Sequence, residues 1–214
     1  DERPFVGGSN YATLLACENY LDTATCSRDL FWRALGNLVM FVPLQVMFMM
    51  GVALITAIAL NGKIRARGFF RGVFFFPVML SPVVVALTWQ WILQRNGILN
   101  GILGVFGLER FTWLADPHWA FFWTIFVTVW AHSGFFMIIL LAGLQSIPQD
   151  VYEAAKMDRA SPWRVFTRIT VPMLRPVLLV VFILAVIRSV QTFDEIYVLT
   201  GGGPGSATML LVQY

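Results

Sequence analysis

The sequence predicts an all-α, polytopic transmembrane helical bundle, and three observations predict it. Hydrophobic residues make up 58% of the 214 and charged residues only 13%, more apolar surface than one soluble core buries. Three stretches, 34–60, 72–94 and 117–149, contain no Asp, Glu, Lys or Arg, and each exceeds the roughly 20 residues that a helix needs to cross a hydrocarbon layer of about 30 Å. Nine of the fifteen Lys and Arg gather in two loops between apolar runs: Lys63, Arg65, Arg67 and Arg71 in one, and Lys156, Arg159, Arg164, Arg168 and Arg175 in the other. Two spans separate these loops, so both lie on one side, and the positive-inside rule makes that side cytoplasmic. The net charge of +3 is therefore a topology signal, and no nucleic-acid partner is expected.

Residues 1–33 hold no hydrophobic run and form an outward-facing N-terminal segment with a few short helices; 34–214 is the transmembrane domain. Cys17 and Cys26 fall in the outward segment, where an oxidising exterior permits a disulfide, two unpaired thiols being the other reading. The first span runs inward to the Asn61-Gly62 breaker, and Arg71 starts the return. In the second span Pro77 and Pro82 flank Ser81, which predicts a kink or unwound turn over 76–82, either from packing or beside a wet cavity. The outward loop 95–116 spaces Ile98, Leu99, Ile102, Leu103 and Phe106 as a short interfacial helix interrupted by glycines. Trp113 and Trp119 fit an interfacial aromatic belt, with sugar stacking as the alternative.

After the third span the cytoplasmic loop 145–176 carries its own helical pattern. Ser146 and Pro148 supply a start signal, 151–157 is strongly helix-forming, and Ser161-Pro162 opens a second short helix. Trp163, Phe166 and Ile169 recur at i, i+3, i+6 on that helix, an apolar stripe available to a neighbour. Pro172 and Pro176 then restart the chain into a fourth span, 172–197, which contains Arg188, Asp194 and Glu195.

In this loop Glu153-Ala154-Ala155, Asp158, Ala160, Phe166, Ile169, Pro172 and Pro176 resemble the EAA signature of the binding-protein-dependent permeases of the ABC superfamily, the carbohydrate-uptake group in particular. The stretch FDEIYVLTGGGP at 193–204 is similar to the sugar-permease pattern before the last spans. The resemblance runs from about residue 8 to the end. It implies a type I ABC-importer permease fold with about one span missing from each end of this chain, in a bacterial inner membrane. It further implies a second, homologous permease subunit, two ATP-binding-cassette subunits that bind ATP and Mg, and an external solute-binding protein. Glu153, Ala154, Ala155, Asp158, Arg159, Trp163 and Phe166 are then the coupling residues. The small alanines let a docking helix approach a cleft, and Glu153 supplies an anchoring charge. From spacing alone Glu153 reads as a solvated carboxylate. Arg159 stands where the family usually has Gly; a glycine would supply a positive-φ turn that Arg adopts at some cost. Either the turn is shaped differently, or Arg159 makes its own contact with the ATPase.

The rise per residue from Arg175 puts Arg188 near mid-membrane, where an ionisable group is by default functional. Ser189, Gln191 and Thr192 surround it with hydrogen-bonding groups, and Thr128, His132 and Phe135 sit at similar depth on the third span. The resemblance places solute contacts on these two helices, so a cavity between them is expected, its polar groups and an aromatic suited to a sugar. An anionic or phosphorylated solute, such as a glycerol phosphate, would use Arg188 directly; a structural ion pair with Glu195, two turns on, is the competing reading. The two histidines are far apart in sequence and predict no metal site. The chain has no phosphate loop, Ser nucleophile elbow or HExxH, so it is not expected to be an enzyme. A secondary transporter would keep coupling carboxylates inside its spans; the first three hold none.

Overall fold

A computed structural model describes residues 7–17, 25–62 and 65–214. Residues 1–6 and 18–24 of the N-terminal segment, and Lys63 of the first basic loop, lie outside the described residues. Every regular element described is helical: α1 Ser9–Leu15, α2 Asp29–Asn61, α3 Arg67–Phe75, α4 Pro82–Leu93, α5 Ile98–Val105, α6 Pro117–Gln145, α7 Gln149–Met157, α8 Pro162–Val165, α9 Val171–Gln191 and α10 Asp194–Thr200. Three helices are long and apolar enough to cross a membrane: α2, α6 and the continuous stretch Pro162–Gln191.

Two sequence expectations need correction, and a third is met. The return after α2 begins at Arg67, not Arg71, because the Arg67 guanidinium folds back onto the last turn of α2. It donates to the carbonyls of Leu60, at 2.5 Å, and of Asn61, filling orphan acceptors at the negative end of the helix dipole. The second apolar run carries the break expected of it. Pro77 lies in a 3-10 turn, Phe76–Met79, Leu80 is extended, and Pro82 opens α4, so Arg67–Met79 and Pro82–Val105 form a pair bent by 100°. The break falls inside the expected 76–82.

The second correction concerns the fourth span, which begins earlier and ends sooner than 172–197. Pro172 does not restart it: a π turn, Phe166–Thr170, joins α8 to α9, with the Val171 N–H bonded to the Phe166 carbonyl. The wider turn relaxes the ladder where the ring of Pro172 would otherwise meet the carbonyl four residues back. The helix stops at Gln191. Asp194 and Glu195 occupy the first turn of a separate α10, where acidic side chains suit the positive helix end.

The chain divides into two units. The first comprises Asp1–Phe41, Ala86–Thr124 and Thr192–Tyr214. There a disulfide joins Cys17 to Cys26, and Trp32 Nε1 donates to the Leu14 carbonyl at 2.9 Å. Asn37 Nδ2 donates to the carbonyls of Ser206 and Met209 at 2.8 and 2.9 Å, tying α2 to the glycine-rich turn after α10. Asn100 is fully buried and bonds both backbone groups of Phe111, which staples the loop 95–116. Trp113 meets Phe111, Trp119 and Trp123 edge to face. Trp113 thus packs in an aromatic cluster, and its ring is not free for stacking.

The second unit comprises Val42–Val85 and Ile125–Gln191, and it holds the basic ends of the long helices and the loop after α6. Two close approaches organise it. A methyl at Gly134 would overlap the carbonyl oxygen of Phe74, so only glycine lets α6 lie against the backbone where α3 runs into the break. A methyl at Gly143 would lie 2.9 Å from side-chain carbons of both Leu174 and Val177, which sets the spacing of α6 and α9.

Candidate functional site

The loop after α6 is a small tertiary structure. Ser161 Oγ accepts from the Arg164 N–H at 3.3 Å and caps α8, with Pro162 at its first position, as the Ser-Pro pair predicts. Tyr152 OH meets Thr170 Oγ1 at 3.2 Å, tying α7 to the π turn.

The end of α7 resolves the question at Arg159. Its φ is 49°, its N–H bonds the Lys156 carbonyl, and the Ala160 N–H bonds the Ala155 carbonyl, each at 3.0 Å. This is a Schellman C-cap with the left-handed residue at Arg159. The turn therefore keeps a glycine-like shape with an arginine in it, and the alternative of a differently shaped turn falls.

α7 also separates its two alanines. Ala155 is buried at 6% exposure and faces this protein, whereas Ala154 is exposed with Glu153, Asp158 and Arg159. The expectation that both alanines face a cleft is corrected: helical geometry turns adjacent residues about 100° apart. Met157 and Trp163 project from the tip, 84% and 72% exposed. Phe166 is half-buried, with its ring centroid 5.7 Å from that of Trp163.

The second group of expected residues lies where α6 meets α9. An Arg188 guanidinium nitrogen is 2.6 Å from His132 Nε2. Arginine only donates, so Nε2 accepts and the imidazole proton sits on Nδ1; Nδ1 in turn donates to the Thr128 carbonyl at 2.9 Å. The contact fixes register. His132 precedes Gly143 by eleven residues on α6, and Arg188 follows Val177 by eleven on α9. The helices therefore run antiparallel and meet on one face of each, three turns apart. His132 lies at the middle of α6, so Arg188 meets that helix halfway along its length.

Thr128, His132 and Arg188 are thus brought together. Thr128 is buried, its hydroxyl donating to the Ile125 carbonyl at 2.9 Å. Ser189 is fully buried with Oγ unpartnered among the described residues. Phe135, one turn from His132, is exposed, as is Gln191 at the end of α9. Thr192 is buried but lies beyond the helix, in the other unit. Because α9 ends at Gln191, Glu195 is not two turns farther along the Arg188 helix; that premise of the ion-pair reading fails. No group of His, Cys, Asp and Glu able to hold a metal occurs among the described residues.

Sequence reasoning missed Tyr152, Thr170 and Met157. The i, i+3 spacing of Tyr152 and Ala155 marks the inward face of α7 and could have found Tyr152. The π turn that delivers Thr170 has no pattern in the residues themselves.

Residues 49–214 match the family described as binding-protein-dependent transport system inner membrane component. The chain is 39% identical over 208 residues to a trehalose/maltose transport system permease protein of Thermococcus litoralis, covering 97% of this chain and 67% of the relative. It is 40% identical over 189 residues to a lactose transport system permease protein of Rhizobium radiobacter, covering 86% of this chain and 63% of that relative. Among solved structures it resembles a bacterial ABC transporter involved in import of the acidic polysaccharide alginate, with a TM-score of 0.83 and 26% identity over 97% of this chain and 70% of that one. A bacterial alginate ABC transporter in complex with a pentasaccharide-bound periplasmic protein gives a TM-score of 0.80 at 25% identity, over 95% of this chain and 68% of that one.

Proposed function

The chain belongs to the family of binding-protein-dependent transport system inner membrane components, and from that premise we propose that it is a permease subunit of an ATP-driven importer of a sugar or oligosaccharide. The observation that carries this reading is the folded loop after α6, which presents Glu153, Ala154 and Met157 outward on a helix capped at Arg159, with Trp163 exposed on α8 beside it. A loop that only connected two spans would not need a helix, a C-cap and a side-chain tie to Thr170. In this proposal α7 seats in a groove of an ATP-binding-cassette subunit, and two such subunits bind ATP and Mg. Their closure moves α7 as a rigid lever, and the continuous helix Pro162–Gln191 carries the displacement to Arg188, a hinge or rigid-body transition. A second, homologous permease chain and an external solute-binding protein complete the assembly, which sits in a bacterial inner membrane with the basic loops cytoplasmic. The hydrophobic spans of this chain would contact lipid throughout.

Sugar is the solute class favoured by the names of the relatives: one is a trehalose/maltose and one a lactose permease. Within the second unit Thr128, His132, Ser189 and Gln191 supply hydroxyl, imidazole and amide groups, and Phe135 an exposed ring, of the kinds that bind sugars. An anionic solute is the second reading, favoured by Arg188 at mid-span.

ATPase activity of the assembled complex in lipid, with and without loaded binding protein, tests the first proposal. Stimulation by binding protein in the native complex, abolished in Glu153→Ala, is expected. If the chain recruits no ATPase, or if it transports without one, a secondary transporter replaces this reading. Loss of transport confined to anionic solutes in Arg188→Ala would select the second solute class.

A further inference from the structure

Beside α7, within the second unit, lies a cavity of about 370 Å³. Ile58 near the end of α2 and Leu144 near the end of α6 give it an apolar wall, continued by Val165 and Phe166. Asn61, Tyr152 and Thr170 add hydrogen-bonding groups, and among the described residues Lys156 is the sole charged side chain lining it. The bonds from Arg67 to the carbonyls of Leu60 and Asn61 hold the α2 wall in place.

We infer that this cavity binds an anionic membrane lipid, with the phosphate on Lys156 and the first methylenes of one acyl chain against Ile58, Leu144 and Phe166. Three features select that occupant. The cavity lies at the basic ends of two apolar spans, the level of the phosphates of the cytoplasmic leaflet, whose anionic lipids are drawn to basic protein surfaces. Its charge is complementary: an ammonium lines it and, among the described residues, no carboxylate does. Its size, toward the lower end of the roughly 300–1,000 Å³ of small-molecule sites, admits a phosphate and part of one chain, not two whole chains. A free phosphate would satisfy Lys156 but leave the apolar wall against water.

Because α7 and the span ends share these walls, a bound lipid braces the docking helix against the bundle. That consequence rests on the proposed coupling role of α7; binding itself does not. Native mass spectrometry of the purified complex carrying phosphatidylglycerol or phosphatidylcholine reads binding directly. Retention of phosphatidylglycerol over phosphatidylcholine is expected, falling roughly tenfold in Lys156→Gln, as for the loss of one charge-assisted hydrogen bond. Leu144→Trp, which fills the cavity and keeps the ammonium, should lower retention similarly, whereas Arg159→Gln on the exposed tip and Glu153→Ala should not. Retention unchanged in both cavity variants overturns the site. Displacement of the lipid by millimolar inorganic phosphate overturns the lipid assignment in favour of a soluble anion. Glu153→Ala that keeps its lipid yet leaves hydrolysis stimulated would instead remove the docking reading and leave the lipid site standing.

Discussion

Arg159 holds a backbone conformation that costs an L-residue with a Cβ roughly 1–2 kcal/mol relative to the right-handed region. Nothing within the Schellman cap needs its side chain, since both cap bonds are made by the backbone. Arg159→Gly should therefore raise stability by about 1 kcal/mol, read as a higher midpoint of thermal unfolding. If that variant also loses binding-protein-stimulated hydrolysis, the strain is kept for a contact made by the guanidinium; if it retains full stimulation, that contact is absent. A different logic holds at His132 and Arg188, where one side chain accepts what the other donates. Removing either takes from the other the partner it has in this contact. His132→Phe and Arg188→Met should each destabilise, and together by less than their sum, with a coupling of about 1–3 kcal/mol. A double-mutant cycle on unfolding measures it, and additivity would mean that the 2.6 Å contact contributes nothing to folding.

Helices pack closely here because glycine stands at the points of contact, and the effect of a methyl depends on what it meets. At Gly134 it meets the backbone carbonyl of Phe74, which cannot rotate away, so Gly134→Ala should cost about 1–3 kcal/mol or more and lower the yield of folded complex. At Gly101, inside α5, nothing lies within 4 Å. Gly101→Ala should be neutral or stabilise by up to about 1 kcal/mol through helix propensity. Equal behaviour of the two in a thermal-unfolding assay would refute the close approach of α6 to the break. Such contacts mark the limit of what the residues disclose unaided. The break at Pro77 and Pro82, the helix at Ile98 and the start of α8 at Ser161-Pro162 are legible because each is written in local chemistry: missing donors, periodicity, a cap. The continuity of α8 through α9 is not, because Pro172 and Pro176 read as breakers, whereas a π turn precedes the first and α9 runs on through the second. The pairing of His132 with Arg188 is intermediate, since depth could be counted along each span but the facing surfaces could not.

For the molecule as a whole, legibility came from asymmetry: charges withheld from long runs and basic residues gathered between them. That pattern predicts which segments leave water and which side each loop takes, but not the division into two units, which cuts α2, α4 and α6 within their lengths. A boundary inside a helix leaves no trace in composition, because the same apolar periodicity continues across it. Sidedness, by contrast, makes a direct prediction. The chain has two cysteines, and both are consumed by the Cys17–Cys26 bridge, so without reductant the native protein is silent to a membrane-impermeant maleimide. Arg159→Cys, on the exposed tip of the loop after α6, should label only in inside-out vesicles, where the cytoplasmic face is outward. Leu108→Cys, in the exposed turn after α5, should label only in right-side-out vesicles. Each control is internal, since the two positions lie on opposite ends of α6. Labelling of both from one face would place the basic and the tryptophan-rich loops on the same side. An even number of crossings would then separate them, and with it would go the requirement that the helix Pro162–Gln191 link a cytoplasmic lever to a mid-membrane solute path.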